Sequence, residues 1–198
     1  FISNCHKQPN TKGDFMKNIL IISGHPALRD NSFANKLIME DLEKLLPAAT
    51  FDCLSDLYPD YRINVEAEQK KLVAADIIVL QFPIFWYSMP ALLAKWMEDV
   101  FVHGFSHGTT GRALTHKKHL LSFTTGAPES AYDASFPVEA MAERFVRTAG
   151  LTGMDYVGFI YTGGVSYSLR ADAEKRTEMA AASHAHAQRL VEKLQSLA

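Results

Sequence analysis

From residue 17 onward, short continuous apolar runs alternate with longer stretches in which apolar residues recur every three or four positions. The continuous runs predict strands that are buried on both faces. The longer stretches predict amphipathic helices. The predicted strands cover residues 17–23, 49–54, 76–82, 119–125 and 154–162. The predicted helices cover residues 32–46, 65–75, 91–101, 138–149 and 171–197.

This alternation predicts an α/β fold with a five-stranded parallel sheet. Buried strands separated by helices need helices on both faces of the sheet. Right-handed crossovers then restrict the topology to a doubly wound sheet. Because ligands bind at the carboxyl ends of the strands in such sheets, we expect a site at the loops after the first, third and fourth strands.

Length and composition indicate one globular domain. The chain has 198 residues, of which 47% are hydrophobic and 21% are charged, so wholesale disorder is excluded. The net charge of −2 argues against a nucleic-acid-binding surface, which is usually basic. Two cysteines, Cys5 and Cys53, cannot form a disulfide framework, so we expect a reducing cytoplasm. No apolar run approaches the roughly 20 residues of a membrane span.

The first fifteen residues differ from the rest of the chain. Residues 1–15 are polar and aperiodic, and they lack the apolar segment and cleavage site of a secretory signal. We therefore expect a disordered N-terminal extension over residues 1–15 and a folded domain over residues 16–198.

The first candidate loop, residues 23–32, leads into a predicted helix. A helix N-terminus presents unpaired N–H groups and a partial positive charge, which suit an anion. Asn31 and Ser32 are good capping residues that can turn toward a phosphate, and Arg29 can add a charge-assisted contact. The loop is neither a Walker A motif nor a G-x-G-x-x-G fingerprint. An ordinary turn with a serine cap explains it equally well.

The second candidate loop, residues 81–90, has the sequence QFPIFWYSMP. Exposed aromatic side chains need a cover, which a flat heteroaromatic ligand would provide. The prolines fix the path of the loop, so the backbone N–H groups of residues 84–87 can face the edge of such a ligand. The alternative is that these aromatic residues pack under the next helix or in a subunit interface.

The third candidate loop, residues 124–132, has the sequence TTGAPESAY. Small residues at a strand end let a ligand approach the backbone, and hydroxyl and amide groups offer donors to carbonyl and imide groups. Tyr132 adds a phenol. A plain turn would look the same.

Other arrangements of reactive residues predict no further site. His103 and His107 are four positions apart, but neighbouring glycines argue against a helical pair, and no cysteine or carboxylate completes a zinc-type set. We expect no metal and place these histidines at the rim of the site. There is also no G-x-S-x-G nucleophile elbow.

At the three loops the sequence resembles the flavodoxin-like NAD(P)H quinone reductase family. The matching segments are ILIISGHP, AEQKKLVAADIIVLQFPIFWYSMPALLAKWMEDVF and LLSFTTG. The similarity extends over nearly all of residues 17–195, and the middle segment is the most specific. It is strongest to a small bacterial branch, which includes ancillary subunits of glutathione-gated potassium efflux systems and stress-associated quinone reductases.

The resemblance implies a flavin bound at the three loops and a homodimer with an active site at each interface. A homodimer would also use the apolar residues of the helix over residues 91–101. The positions that match the flavin-binding segments are His25, Ser32, Phe33, Asn35, Pro83, Ile84, Phe85, Trp86, Tyr87, Thr124, Thr125, Gly126 and Ala127. Tyr132 matches an active-site tyrosine of the larger quinone reductases. Tyr132 and Trp86 are the two predicted catalytic residues.

Two positions depart from the family pattern. The usual T-T-G-G is T-T-G-A here, so Ala127 stands at a position where a positive φ would favour glycine. The histidine that accompanies the tyrosine in the larger enzymes has no counterpart in residues 133–138.

The resemblance implies a cytoplasmic oxidoreductase that takes a hydride from NAD(P)H and passes two electrons to quinones, or to nitro or azo aromatics, by a ping-pong mechanism. FMN is favoured over FAD, because residues 54–64 leave little chain where the larger FAD enzymes have a long insertion. The alternative function is a regulatory subunit that docks on a potassium–proton antiporter at the inner face of the membrane. A one-electron carrier fits less well, because such carriers tend to be strongly acidic.

Overall fold

The computed structural model describes residues 17–197. The predicted N-terminal extension, residues 1–15, lies outside the described residues. Five strands and seven α-helices alternate along the described part of the chain. They are β1 (Ile19–Ser23), α1 (Leu28–Asn31), α2 (Ala34–Leu45), β2 (Thr50–Cys53), α3 (Leu54–Leu57), α4 (Val65–Ala74), β3 (Ile77–Pro83), α5 (Ala91–Val100), β4 (Lys118–Thr124), α6 (Glu143–Thr152), β5 (Asp155–Thr162) and α7 (Ala173–Ser196).

The sheet confirms the predicted fold. Its strand order is β2-β1-β3-β4-β5, and every neighbouring pair is parallel. This is the flavodoxin-like doubly wound order, in which the chain reverses direction across the sheet between β1 and β3. All seven residues of β3 are buried. Because β1, β3 and β4 are parallel neighbours, their carboxyl ends meet at one edge of the sheet. A ligand is expected at that edge.

Two apolar cores cover the two faces of the sheet, because successive side chains of a strand point to opposite faces. One core contains Leu20 and Ile22 of β1 and packs against α4, α5 and α6. The other contains Ile21 and packs against α2 and α7. This arrangement explains why the strands are continuously apolar.

The apolar face of α5 is used inside the first core. Trp96 is fully buried, and its Nε1 donates to Glu68 Oε2 at 2.8 Å. The other carboxylate oxygen of Glu68 accepts from the hydroxyl of Tyr58 at 2.6 Å and from Lys71 Nζ at 2.7 Å. The Trp96 bond ties α5 to α4. The apolar residues of the helix predicted over residues 91–101 therefore pack against the core of this chain. They do not form an exposed apolar surface that would favour a homodimer.

Two predicted helices differ from the structure. The helix predicted over residues 32–46 begins at Ala34, because Ser32 is extended and separates it from the short helix α1. The helix predicted over residues 138–149 begins as the 3₁₀ turn Val138–Met141, continues as α6, and ends where Gly153 adopts a φ of 73°. A left-handed glycine is the usual helix stop.

Two features are absent within residues 17–197. No helix there combines the length and the apolarity needed to cross a bilayer. The same residues contain no cluster of three or more histidine, cysteine or carboxylate side chains that would suit a metal ion.

Two histidines are buried in the cores. His119 of β4 is 1% exposed, lies beside the rings of Phe145 and Tyr156, and has no hydrogen-bond partner for either ring nitrogen among the described residues. His186 of α7 is bonded to the hydroxyls of Ser122 at 2.7 Å and Thr162 at 2.9 Å. Burial lowers the pKa of His119 to about 4 and that of His186 to about 3. Both rings are therefore neutral at pH 7.

These pKa values predict that the protein loses stability in mild acid. The folded-state pKa lies below the usual value of 6.5, so between pH 6.5 and 4 the unfolded chain binds more protons and the free energy of unfolding falls as the pH falls. For His119 alone the loss between pH 7 and pH 5 is about 2 kcal/mol. His119→Phe should lose correspondingly less over the same range in urea unfolding. The exposed control His103→Gln should behave as the wild type, and identical slopes for all three proteins would contradict the assignment.

Candidate functional site

A pocket of about 370 Å³ lies at the carboxyl ends of β1, β3 and β4. Its volume is within the roughly 300–1,000 Å³ of small-molecule sites. The three predicted loops all contribute to it, and so does the segment that follows β5. The lining residues are His25, Pro26, Ala27, Asn31, Ser32, Phe33, Ala34, Asn35, Pro83, Ile84, Phe85, Thr124, Thr125, Gly126, Val165, Ser166, Tyr167, Arg170 and Met179.

The structure brings together most of the predicted site residues. Four of them do not line the pocket, namely Trp86, Tyr87, Ala127 and Tyr132. His103 and His107, which were expected at the rim, do not line it either. Their rings pack edge to face, with centroids 5.7 Å apart.

The three loops predicted from the sequence do not include the segment after β5, which also contributes to the pocket. It places Arg170 in the wall, where the guanidinium lies 3.4 Å from the centroid of the Tyr167 ring and donates to Asn31 Oδ1 at 3.2 Å. The signal that could have found it is the pair Gly163 and Gly164 directly after a strand, because small residues at a strand end let a ligand approach. Arg170 is the only charged side chain among the described lining residues.

One end of the pocket suits an anion, although not through the predicted capping residues. The N-cap of α2 is Phe33, and no side chain caps this helix. The first N–H groups of α2 therefore lack a side-chain partner and carry a partial positive charge. Ser32 lines the pocket instead of capping the helix. Arg29 does not turn inward, as its expected contact would require, because its Nε donates to Asp56 Oδ2 at 3.0 Å on the surface.

His25 contributes a neutral ring to the wall. Its Nδ1 accepts from the backbone N–H of Ala27 at 3.0 Å, and burial lowers its pKa to about 4. Near neutral pH the proton is therefore on Nε2. His25 is a hydrogen-bond donor without a charge.

The floor of the pocket is a buried polar network. Asn35 Nδ2 donates to Thr124 Oγ1 at 3.1 Å, and Asn35 Oδ1 accepts from Gln81 Nε2 at 2.6 Å. The side chains of these three residues are at least 95% buried. The network fixes Asn35 and Thr124, which both line the pocket.

The aromatic loop forms a tight turn. The backbone N–H of Phe85 donates to the carbonyl of Ser88 at 2.9 Å, and that of Ser88 donates back at 3.0 Å. Between them Trp86 and Tyr87 have φ values of 51° and 62°, the left-handed conformation that costs a side-chain-bearing residue energy. Two consecutive residues with positive φ correspond to a type I′ turn, which normally contains Asn-Gly.

The geometry of this turn corrects one prediction. The N–H groups of residues 84–87 were all expected to face a ligand. The N–H of Ile84 instead donates to the carbonyl of Thr124 at 2.8 Å, which extends the β3–β4 ladder, and that of Phe85 closes the turn. Only those of Trp86 and Tyr87 have no partner among the described residues.

The turn projects its aromatic side chains outward. Trp86 is 95% exposed and Tyr87 is 63% exposed. Tyr87 meets Phe136 edge to face with centroids 5.4 Å apart, and Arg144 of α6 donates to the hydroxyl of Ser88 at 2.5 Å. The aromatic residues of this loop were predicted to be covered by a ligand, by the next helix or by a second subunit. Because Trp86 is exposed, the next helix does not cover it. A ligand or a second subunit is left as its cover.

The two remaining predicted residues, Tyr132 and Ala127, lie outside the pocket lining. Tyr132 packs edge-on against Tyr161 at 6.1 Å, and the Tyr161 hydroxyl is 2.9 Å from Thr125 Oγ1. Ala127 does not have a positive φ, so the T-T-G-A departure causes no strain. Its carbonyl accepts from the Thr125 hydroxyl at 2.8 Å and from the N–H of Gly164 at 2.8 Å.

Comparison with known proteins gives a family match over most of the chain. The family model Flavodoxin_2, described as a flavodoxin-like fold, matches residues 17–189. The chain is 41% identical over 141 residues to the glutathione-regulated potassium-efflux system ancillary protein KefF of Enterobacter sp. (strain 638), which covers 70% of this chain and 79% of that protein.

Two solved structures are similar along nearly their whole length. General stress protein 14 of Treponema denticola, solved in complex with FMN, has a TM-score of 0.78 at 28% identity and covers 92% of this chain and 99% of its own. An NADPH-quinone reductase of P. pentosaceus has a TM-score of 0.69 at 27% identity and covers 87% of this chain and 98% of its own.

The strained turn predicts a stabilising substitution. In Trp86→Asn/Tyr87→Gly, residues that tolerate positive φ replace two that do not, so we expect the free energy of unfolding to rise by roughly 1 kcal/mol in urea. The matched control is Trp86→Ala/Tyr87→Ala, which removes the same rings but keeps the strain and should not be stabilised. Equal stability of the two variants would mean that the turn is unstrained.

Proposed function

This chain belongs to the Flavodoxin_2 family of flavodoxin-like proteins, and on that basis we propose that it is an FMN-dependent NAD(P)H oxidoreductase that passes two electrons to quinones or similar flat aromatic acceptors. The observation that carries the proposal is the pocket at the carboxyl ends of β1, β3 and β4, which joins an anion-binding end to an aromatic turn. The FMN complex of the similar stress protein supports the choice of cofactor.

The described residues fit FMN because the pocket offers partners to its phosphate, its imide edge and its flat ring. The first turn of α2 and Arg170 suit a phosphate dianion. Thr125 and Gly126 form a wall where an imide edge can approach closely, and Phe85 offers an aromatic surface. His25 supplies an uncharged donor. Bound there, FMN would supply the redox chemistry, accepting two electrons as hydride from NAD(P)H and returning them to the acceptor.

The protein's own task in this proposal is to bind and orient. Trp86 and Tyr87, held out from the rim by the strained turn, would form an apolar wall against which a nicotinamide and then a quinone stack in turn. Their free backbone N–H groups would favour negative charge at the edge of the pocket. Tyr132, whose ring packs against that of Tyr161, would act as a hydrogen-bonding phenol without a histidine partner.

The first test identifies the flavin and the reaction. The purified protein should reconstitute from equimolar FMN and FAD with predominantly FMN, measured by chromatography of the flavin released on denaturation. Anaerobic NADPH should bleach the flavin absorbance at equimolar addition, and a quinone added afterwards should restore it. FAD as the main released flavin would overturn the choice of cofactor, and a spectrum unchanged by NADPH and NADH would overturn the reaction.

Trp86→Ala should lower turnover far more than stability. Because the side chain is 95% exposed, its removal should change the free energy of unfolding by no more than about 0.5 kcal/mol. Loss of a stacking wall misplaces the substrates, and we expect kcat/KM for the quinone to fall about tenfold or more. The exposed control Leu151→Ala should leave both quantities unchanged, and a fully active Trp86→Ala protein would remove Trp86 from the site.

We also propose that the aromatic turn lies at the interface of a homodimer. Trp86, Tyr87 and Phe136 are exposed together, and adjacent exposed aromatic side chains are typical anchors of interfaces. Light scattering at low micromolar concentration should give twice the mass of the chain for the wild type and a larger monomer fraction for Trp86→Ala/Tyr87→Ala. A fully active wild-type monomer would remove the shared-site arrangement.

A second candidate function is that of a regulatory subunit on a membrane antiporter, and 41% identity to a potassium-efflux ancillary protein favours it. The two functions are compatible. Association with membranes that contain a potassium–proton antiporter, compared with membranes that lack it, distinguishes the regulatory role. Turnover of the isolated protein measures the enzymatic one.

A further inference from the structure

A row of buried polar side chains lies beneath the pocket. Ser23 of β1, Gln81 of β3 and Ser122 of β4 are partners in the sheet register, and all three are 0% exposed. They face the α2 and α7 side of the sheet, among otherwise apolar residues. Buried polar groups are costly unless they are hydrogen-bonded, so the bonds that Gln81 and Ser122 make indicate what the row does.

Gln81 is the member of this row that reaches the pocket, and it does so through other residues. Its Nε2 donates to Asn35 Oδ1 at 2.6 Å, and Asn35 Nδ2 donates to Thr124 Oγ1 at 3.1 Å. Asn35 and Thr124 line the pocket, whereas Gln81 does not. The chain of bonds therefore runs from beneath the floor, across α2, to the end of β4.

In this structure the series of hydrogen bonds runs in one direction, with Gln81 Nε2 as the donor at its start and Gln81 Oε1 without a partner among the described residues. Because Gln81 donates through Nε2, the carbonyl oxygen of Asn35 faces β3. The amide nitrogen of Asn35 then faces Thr124. The Thr124 hydroxyl accepts there, so its own hydrogen is available to the pocket. The reverse arrangement, donation from Thr124 to Asn35 Oδ1, spans a longer 3.3 Å.

We propose that Gln81 is a positioning residue for the flavin site, which makes Thr124 a hydrogen-bond donor to the bound cofactor by fixing the orientation of Asn35. The inference rests on the proposed flavin function. Gln81, the glutamine of the Q-F-P segment, would act on the flavin without contacting it, because it does not line the pocket.

The first experiment measures FMN binding to the apoprotein by quenching of flavin fluorescence. Gln81→Met keeps the length of the side chain but removes the donor, so the Kd for FMN should rise about tenfold, as expected for the loss of one buried hydrogen bond. The matched control is Ser23→Ala. Ser23 is buried at the same level, but its hydroxyl has no partner among the described residues, so its Kd should equal that of the wild type.

A double variant tests whether the effect passes through Thr124. Thr124→Val removes the hydroxyl and keeps the shape of the side chain. If Gln81 acts on the flavin only by directing that hydroxyl, Gln81→Met/Thr124→Val should have the Kd of Thr124→Val alone. Additive losses would overturn the proposed route.

Gln81→Glu provides a readout within a single folded protein. A protonated carboxyl can donate to Asn35 Oδ1, and an ionised one cannot. Burial should raise the pKa of the introduced carboxyl. At each pH we compare the Kd of Gln81→Glu for FMN with that of the wild type. The ratio of the two Kd values should be near one in acid and should rise as the carboxyl ionises. A ratio independent of pH would overturn the role of the donor.

The outcomes separate this inference from the proposed function. A wild-type protein that binds no flavin would overturn both. A wild-type protein that binds FMN, with Gln81→Met and Ser23→Ala equal to it, would overturn the role of Gln81 alone. Melting temperatures of the apoproteins show whether any loss of affinity is only a loss of folded protein.

Discussion

Burial of the parallel sheet on both faces is the constraint on which the other features depend. Because every residue of β3 is buried, this strand cannot carry a polar side chain without providing it with a partner. The amide nitrogen of Gln81 meets that requirement by donating to Asn35 at the base of the pocket, whereas its carbonyl oxygen has no partner among the described residues. The strand then ends at Pro83, and the chain leaves the sheet where the neighbouring strands β1 and β4 also end. The core and the site are thus joined at one point.

At that point the molecule combines a rigid floor with a strained rim. The floor is made of side chains that bond to one another and are almost inaccessible to water. The rim contains two aromatic residues in a conformation that suits neither, and their rings lie in solvent. Such strain, together with exposed apolar surface, is typical of positions kept for binding rather than for stability. In the proposed function, the pocket and the turn together would bind one ligand with a charged end and a flat end.

Neutral buried groups are a second consequence of the same constraint. His25, His119 and His186 all have lowered pKa values because they are removed from water. For His25 the result is a donor in the pocket wall. For His119 and His186 it is a dependence of stability on pH. One physical cause therefore has a functional effect at the edge of the sheet and a structural effect inside it.

The sequence by itself determined the five strands, the parallel sheet and the three loops of the site, because apolar periodicity and strand-end residues are local properties of the chain. It did not determine that α2 begins without a side-chain cap, that Arg29 pairs with Asp56 on the surface, or that Arg170 enters the pocket from beyond β5. Those depend on which segments meet in space. Likewise, apolar residues on α5 look the same in sequence whether they face a partner or the core. Only the tertiary structure places Trp96 inside the core and Trp86 in solvent, because burial depends on what the rest of the chain packs against.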